Sequence, residues 1–424
     1  MSKETAEFAY DLHAGLASLA VPEFDQLALV GMAATLAVHL KGLGDIEYEV
    51  LRKVSDHFMH IPSHALKSVL TMLEEIGYVR IDSTGRTINK ITPNIPTFDD
   101  VYEGLGDFVS TEVSLNEHEQ ATVTIMSELF KAPRNRDSLL RKSAIDRPVF
   151  DRCVTLGAAS GIVTEHHARG KNILISPFYF ADNLDGLADL AAGAGTPALQ
   201  STLEKVRDGQ GWPLSLVATT GEIAGAKLSA TEQQLVQKLA EEGVVKPPTI
   251  KFGGKSESFL FTPKPGKARL NAANREIYER AMALISAVRK GQLLPDAYRI
   301  KYPIALIQAL RDKGYVNSNS EAKNQYNNLV FLRVGRLQHT QGDRWQFHLI
   351  RTEENEAAIT LALELLRSGN LANMEIDQEA RIALSKEETY IQSLISSSDM
   401  KKRQKQLVDE QAKLEYEQLI LALD

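Results

Sequence analysis

The 424-residue chain has a single cysteine, Cys153, and only two tryptophans. One cysteine cannot form a disulfide within the chain, and it cannot supply the thiolate clusters that hold zinc or iron–sulfur groups. No apolar run reaches the roughly 20 residues that span a bilayer, and no basic segment is followed by a cleavable small-residue site near the N-terminus. These absences predict a cytoplasmic protein that makes no contact with a membrane.

Recognisable motifs of catalysis and nucleotide binding are also missing. Residues 254–256, Gly-Lys-Ser, end like a phosphate loop, but Thr249 stands where that motif requires its first glycine. His57, His60 and His64 have a spacing that could line one helix face for a metal, yet a proline interrupts the helix and no carboxylate or thiol completes a site. The sequence therefore predicts no catalytic activity, no cofactor and no metal.

Charge is distributed unevenly along a chain whose net charge is −7. Residues 1–130 contain 8 Lys/Arg and 20 Asp/Glu, residues 131–351 contain 32 and 20, and residues 352–424 contain 8 and 15. The corresponding net charges are −12, +12 and −7. A basic centre suits a polyanionic partner, whereas the acidic ends are suited to protein partners.

One pattern recurs four times in the chain: an apolar-periodic helix, a glycine, a short strand, a polar tip and a second strand. In the first two copies the helix ends at Gly77 and Gly161, where a left-handed C-cap costs least. The four copies are at 63–93, 147–177, 231–263, and 303–316 continued after an insertion by 335–350. A repeat of this kind indicates that the chain is built from copies of one supersecondary unit.

Two further apolar helices precede the pattern in the first, second and fourth copies. With them, the chain resembles the winged helix-turn-helix superfamily over most of 24–180 and again over 215–366. The resemblance implies three helices and a β-hairpin wing per unit, often with DNA held by the third helix and the wing. The arrangement also resembles the acidic tandem winged-helix subunits of bacterial condensins and endosomal-sorting complexes, which act as adaptors.

The predicted fold class is therefore mainly α with small β-hairpin wings. The predicted segments are an N-terminal stretch (1–23), winged helices at 24–97 and 98–180, a helical connector or linker (181–214), a degenerate third winged helix (215–270), a fourth (271–366) and a charged helical tail (367–424). The third winged helix is treated as degenerate because the helices before it match poorly. An incomplete apolar stripe in the tail leaves open whether it packs on its own domain or joins subunits into a homo-oligomer.

Phosphate contacts require Lys and Arg on third helices, wings and linkers. The second winged helix concentrates such residues, and 246–301 is the most basic stretch, with a net charge of +8. The predicted DNA-binding residues are Arg134, Arg136, Arg141, Lys142, Arg147, Arg152, Arg169, Lys171, Lys251, Lys255, Lys264 and Lys267.

These features support two main hypotheses. The first is a non-catalytic protein that grips duplex DNA through its second and C-terminal winged helices and leaves its acidic ends for protein partners. The alternative is an adaptor subunit of a multiprotein complex whose winged helices bind proteins. An enzyme without a recognisable motif is the third hypothesis. A steep salt dependence of DNA affinity distinguishes the first from the second.

Overall fold

The computed structural model describes residues 2–17, 19–96, 98–180, 182–245, 249–252, 255–262, 272–294, 299–368 and 378–385. These residues are mainly α-helical, with small antiparallel sheets of two or three strands. The predicted fold class is confirmed at this level. The chain forms two compact units, one made of the described residues up to 115 together with 378–385, the other of those within 116–368.

The first unit is built around an apolar helix, α2, against which α1, α4 and α5 pack. Its elements in chain order are α1 (Ser2–Leu16), α2 (Asp25–Leu40), β1 (Ile46–Glu47), α3 (Tyr48–Met59), α4 (Ser63–Glu75), β2 (Val79–Thr84), β3 (Thr87–Pro93) and α5 (Phe98–Glu112). Strand β3 lies between β1 and β2 in an antiparallel sheet. Helix α2 carries apolar residues on nearly all sides, which allows α1, α4 and α5 to pack against it from different directions.

The second unit continues with a longer series of helices and hairpins. Its elements are α6 (Glu117–Lys131), β4 (Arg134–Asn135), α7 (Arg136–Ser143), α8 (Arg147–Ala159), β5 (Thr164–Ala168), β6 (Lys171–Ile175), α9 (Leu184–Ala194), α10 (Thr196–Asp208), β7 (Trp212–Pro213), α11 (Leu214–Thr220), β8 (Glu222–Ile223), β9 (Ala226–Lys227), α12 (Ala230–Glu241), β10 (Thr249–Phe252), β11 (Lys255–Leu260), α13 (Ala272–Lys290), α14 (Pro303–Lys313), α15 (Ala322–Phe331), β12 (Gly335–His339), β13 (Trp345–Leu349) and α16 (Glu353–Ser368).

A final helix, α17 (Gln378–Leu384), belongs to the first unit, where it packs on α2 and α3. It buries Ala380, Ala383 and Leu384. This short segment of the predicted tail therefore packs within a unit of its own chain. The apolar stripe on which the homo-oligomer alternative depends, from Leu407 to Leu423, lies outside the described residues.

Four structural repeats are present, which we number 1 to 4: α2 to β3, α6 to β6, α10 to β11, and α13 to β13. Repeats 1, 2 and 3 share one order of elements, namely helix, two-residue strand, two helices and hairpin. In each of them the two-residue strand pairs with the second strand of the hairpin, as β1 with β3, β4 with β6 and β7 with β11. Repeat 3 adds the small β8–β9 hairpin before its last helix.

The predicted glycine stops after the third helices of repeats 1 and 2 are confirmed. Gly77 and Gly161 have φ angles of +84° and +71°, in the left-handed region that glycine enters without a steric penalty. The backbone N–H of each donates to a carbonyl oxygen of the last helical turn. The chain then turns directly into the first strand of the hairpin.

Repeat 3 is more complete than its sequence suggests. The stretch 181–214, predicted to be a helical connector or linker, contains α9, α10 and all of β7. Helix α10 buries Leu199, Leu203 and Val206 at helical spacing, and β7 pairs with β11. The sequence gives only a weak strand signal at β7, because this strand is two residues long and contains Pro213.

Repeat 4 differs from the predicted arrangement in the identity of its third helix. The segment 303–316, predicted to be that helix, is α14, the second helix of the repeat. Gly314 ends α14, and Tyr315 and Asn319 then form isolated bridges to β13. The third helix is α15, which lies in the stretch predicted to be an insertion.

Two arginines, Arg207 partly buried and Arg289 buried, join the consecutive repeats of the second unit. The Arg207 guanidinium lies 4.7 Å from the centre of the Phe130 ring and connects repeat 3 to repeat 2. Arg289 of repeat 4 lies 5.4 Å from the Trp212 ring of repeat 3, and its Nε donates to the Gln210 carbonyl oxygen. Such cation–π contacts are strongest where water is excluded.

His13 makes the stability of the first unit depend on pH. Its ring is buried, and Nε2 lies 2.9 Å from the Met59 carbonyl oxygen, so the neutral ring donates this hydrogen bond. Burial lowers the pKa of His13 from 6.5 to about 4. The unfolded chain therefore takes up a proton near pH 6.5 while the folded unit does not, and acidification favours unfolding between these two pKa values.

We expect the free energy of unfolding of the first unit to fall by about 1 kcal/mol through His13 as the pH is lowered by one unit from 6.5. The variant His13→Gln keeps an N–H donor near Met59 but does not titrate, so its stability should change less over this range. Urea unfolding at a series of pH values measures both slopes. Equal slopes for the two proteins would contradict the assignment.

Candidate nucleic-acid interface

Helix α15 has one polar face exposed to solvent and one face buried in repeat 4. Tyr326 and Leu329 pack in the core, whereas Lys323, Asn324 and Asn327 are exposed. The two sets alternate with helical spacing, so each occupies its own side of the helix. The exposed side carries one cation and two amide groups, which can donate and accept hydrogen bonds at once.

The hairpin β12–β13 extends this polar face. Lys323 Nζ lies 5.3 Å from the centre of the Trp345 ring, a cation–π contact that joins α15 to β13. The His339 ring packs edge-on against Trp345, with ring centres 5.0 Å apart. We define the α15–hairpin surface as the exposed residues Lys323, Asn324, Asn327 and His339, together with Arg336 and Gln338, which alternate to the outer face of the same hairpin.

The region around this surface is strongly basic. Residues 299–351 contain 9 Lys/Arg and 3 Asp/Glu, a net charge of +6. One of the three acids, Asp312, forms an ion pair with its neighbour Arg311 at 3.0 Å. Arg344 Nη2 donates to the Ser318 carbonyl oxygen at 2.6 Å and fixes the hairpin turn beside the α14–α15 connection. A polyanion therefore meets an attractive field here.

Buried polar side chains hold the start of α15 in place. Lys290, at the end of α13, is 4% exposed, and its Nζ donates to the Asn324 carbonyl oxygen at 2.6 Å. Burial lowers the pKa of Lys290 from 10.5 to about 8. Gln325 Nε2 donates to the Ala287 carbonyl oxygen at 2.9 Å. Helix α13 thus fixes the position of the exposed amides.

Asn355 holds the other end of α15 and the base of the hairpin. This fully buried residue donates through Nδ2 to the carbonyl oxygens of Arg333, at 3.0 Å, and Ile350, at 2.8 Å. Its Oδ1 accepts a hydrogen bond from Arg280 Nη1 at 2.9 Å. Arg333 has a φ of +56° in the turn between α15 and β12, so Asn355 stabilises a strained connection. The surface is therefore preorganised.

Two of the predicted DNA-binding residues in repeat 2 are held in ion pairs within the protein. The Arg134 side chain is 8% exposed, and its Nη2 lies 2.9 Å from Glu128 Oε2 and 2.8 Å from Gln200 Oε1. Arg136 binds Asp151 at 2.9 Å and Glu165 at 2.8 Å, which joins α7 to α8 and β5. Burial keeps Arg134 from reaching a surface ligand, so we leave it out of the proposed DNA contacts.

The hairpin tip of repeat 2 is docked on α9. Arg169 donates from Nε and Nη2 to the two carboxylate oxygens of Asp189, at 2.8 and 2.7 Å. Lys171 Nζ donates to the Ala192 carbonyl oxygen at 2.9 Å, near the C-terminus of α9. His166 Nδ1 lies 2.8 Å from Asp185 Oδ1 on the same helix. These cations stabilise a contact within the unit.

The remaining predicted cations of repeat 2 lie on its helices and, like Arg169 and Lys171, are exposed. Arg147 and Arg152 lie on α8, its third helix, while Arg141 and Lys142 lie on α7. Lys142 Nζ pairs with Glu128 at 3.2 Å but keeps 68% of its side chain exposed. Arg134, Arg141, Lys142 and Lys171 all line one recess between repeats 2 and 3.

The predicted cations of repeat 3 are described only in part. Lys251 lies on β10 and Lys255 on β11, where Lys251 is opposite Ser256 and Lys255 opposite Phe252. Only their backbone is described. Lys264 and Lys267 lie outside the described residues.

The α15–hairpin surface is not predicted from the sequence, because the segment that forms α15 has the composition of an insertion. A signal for the helix is present in 317–331, where Ala322, Tyr326 and Leu329 recur at positions i, i+4 and i+7. Abundant Asn and Ser concealed it, because these residues favour turns over helix interiors. Of the polar positions between the apolar ones, the fold exposes Lys323, Asn324 and Asn327, whereas Gln325 is buried.

Other kinds of site have less support. Within the described ranges, no group of three or more His, Cys, Asp or Glu side chains could hold a metal ion. Of the helices in that same part of the chain, none combines the length and apolar character needed to cross a membrane. Comparison with protein-family models and with curated protein sequences found no match.

Proposed function

We propose that the four repeats are winged helices and that the protein is a non-catalytic binder of duplex DNA. The order of helices and hairpins in repeats 1 to 3, and the pairing of each two-residue strand with the second hairpin strand, support the first part. The cytoplasmic location predicted from the sequence remains part of the proposal, as do protein partners for the acidic ends. Repeat 4 supplies the principal DNA contact.

In this proposal α15 enters the major groove and the hairpin lies along the backbone. Asn324 and Asn327 offer amides, which can pair with a base edge through two hydrogen bonds. Lys323 and Arg336 neutralise phosphates on either side of the groove. Arg147 and Arg152 on α8 provide a second contact region. The single observation that carries the proposal is the α15–hairpin surface, a polar and basic face held rigidly by buried residues behind it.

The second candidate function is the adaptor role, and the hairpin of repeat 2 favours it. Its basic tip residue Arg169 forms an ion pair with Asp189 of α9, so this hairpin already binds another element of the protein within the unit. The third helix of repeat 1 ends in exposed Glu74 and Glu75, which would repel a phosphate backbone. Repeats 1 and 2 are therefore better suited to protein ligands than repeat 4.

The test is binding of a labelled random-sequence duplex, measured by fluorescence anisotropy between about 50 and 200 mM salt. We expect roughly micromolar affinity at low salt that weakens steeply as salt is added. Lys323→Glu/Arg336→Glu should weaken binding at least about tenfold and reduce the slope of log affinity against log salt by about 2, because two phosphate contacts are lost.

The control is Lys227→Glu/Lys238→Glu, which makes the same charge change at two exposed positions of repeat 3, on β9 and on its third helix α12. The control should keep most of the affinity for the duplex, and its slope of log affinity against log salt should be near that of the wild type. No binding by the wild-type protein at low salt would overturn the DNA proposal in favour of the adaptor. An equal loss of duplex affinity in the control and in Lys323→Glu/Arg336→Glu would show that repeat 4 is not the principal contact.

A further inference from the structure

A recess of about 690 Å³ lies between repeats 2 and 3, bounded by α7, β6, α9 and the start of α10. It is separate from the α15–hairpin surface of repeat 4. Its volume falls in the range of sites that bind small molecules. The charged residues that line it are Glu128, Arg134, Asp137, Arg141, Lys142 and Lys171.

Positive charge dominates this recess. Four cations face two carboxylates, and one of these, Glu128, is already neutralised. Its side chain is 16% exposed and lies 2.9 Å from Arg134 Nη2 and 3.2 Å from Lys142 Nζ. Arg134 is itself oriented by Gln200 of α10, so this lining guanidinium is fixed in place and is not a mobile surface cation.

The start of α10 adds to the attraction for an anion. Gly195, Thr196 and Pro197 line the recess, and Gly195 at the N-cap offers no side chain to hydrogen-bond the first N–H groups of this 13-residue helix. Those groups lack partners within the helix and carry its positive dipole end. The cations come from three other elements, β4, α7 and β6, so their convergence does not depend on the helix terminus.

We propose that this recess binds a small phosphorylated molecule. Guanidinium, ammonium and helix N-terminal N–H groups are the donors that proteins use for phosphate. The concave shape favours a ligand that enters the recess over a duplex whose backbone lies along a convex surface. Arg141, Lys142 and Lys171, predicted from the sequence to contact DNA, would then serve a different anion. Because the ligand contacts both repeats, it stabilises their junction.

Isothermal titration calorimetry of the full-length protein with pyrophosphate, AMP and adenosine tests this inference. We expect saturable binding of pyrophosphate and AMP at about millimolar Kd or tighter, and none of adenosine, because the phosphate is the recognised group. Arg141→Gln/Lys171→Met should weaken both at least about tenfold. Ser138→Glu, at an exposed position lining the recess, should do the same by adding a carboxylate without removing a buried contact.

The control is Arg80→Gln/Lys238→Met, which removes an exposed Arg and an exposed Lys that do not line the recess. It should bind as the wild type does, and so should Lys323→Glu/Arg336→Glu, which separates this site from the proposed DNA contact. The inference is overturned if neither phosphate probe binds up to about 10 mM, if adenosine binds equally well, or if the control loses as much affinity. Duplex binding that is lost in the recess variants without any AMP binding would also overturn it.

Discussion

Phe347→Ala is expected to lower the free energy of unfolding by about 4 kcal/mol, the typical cost of deleting a fully buried aromatic side chain. Phe347 lies on β13 with 0% of its surface exposed, and its ring centre is 5.1 Å from that of Tyr326 on α15. Its carbonyl oxygen accepts a hydrogen bond from Val316, just after α14. The deletion therefore leaves a cavity where α14, α15 and the hairpin meet.

Phe331→Ala is the matched control. It deletes the same atoms from α15, but Phe331 is 78% exposed and fills no cavity. Its effect should stay within about 0.5 kcal/mol. Urea unfolding measures both changes, and amide hydrogen exchange assigns the loss to repeat 4. Similar effects of the two substitutions would mean that Phe347 is not the centre of this core.

Gly31→Ala is expected to destabilise the first unit by about 3 kcal/mol through overpacking. Gly31 lies on α2 where α1 crosses it closely. A Cβ atom at this position would come within 2.2 Å of the Ala9 carbonyl oxygen and 2.6 Å of His13 Cβ. Because the nearest atom belongs to the α1 backbone, α1 must move as a whole, and its contacts with α2 and α5 loosen.

Gly44→Ala makes the same change in open space. No heavy atom lies within 4 Å of the added Cβ, and the backbone there does not require glycine. It should be neutral or slightly stabilising, since alanine loses less chain entropy on folding. Thermal unfolding followed by circular dichroism compares the two variants. A Gly31→Ala protein as stable as Gly44→Ala would show that α1 adjusts at no cost.

The regular parts of the repeats could be predicted from the sequence. Third helices, their glycine stops at Gly77 and Gly161, and the strands after them follow from local apolar periodicity and from the φ angles that only glycine adopts freely. These signals are local, so no knowledge of the fold is needed to interpret them. They fail in repeat 4, where Asn and Ser hide α15, and just before repeat 3, where the Ala-rich helix α9 resembles a linker.

The pairing of charged residues could not be predicted. Arg134, Arg136 and Arg169 are of the same residue type as Arg147, yet each of the three forms an ion pair within the protein that its local sequence does not indicate. Asp189 and Arg169 are 20 positions apart, and no periodicity relates them. Whether a cation is available to a ligand depends on which helix the fold brings beside it.

The sequence by itself determined the helical fold class, the repeated pattern and the basic centre between acidic ends, because composition and hydrophobic period are properties of neighbouring residues. Only the tertiary structure decided which cations form ion pairs within the protein and which do not. It also placed Lys323 and the α15 amides beside the hairpin, and brought four cations from repeat 2 around one recess. These juxtapositions depend on long-range packing of α9, α10 and α13, since the residues involved lie far apart in the chain.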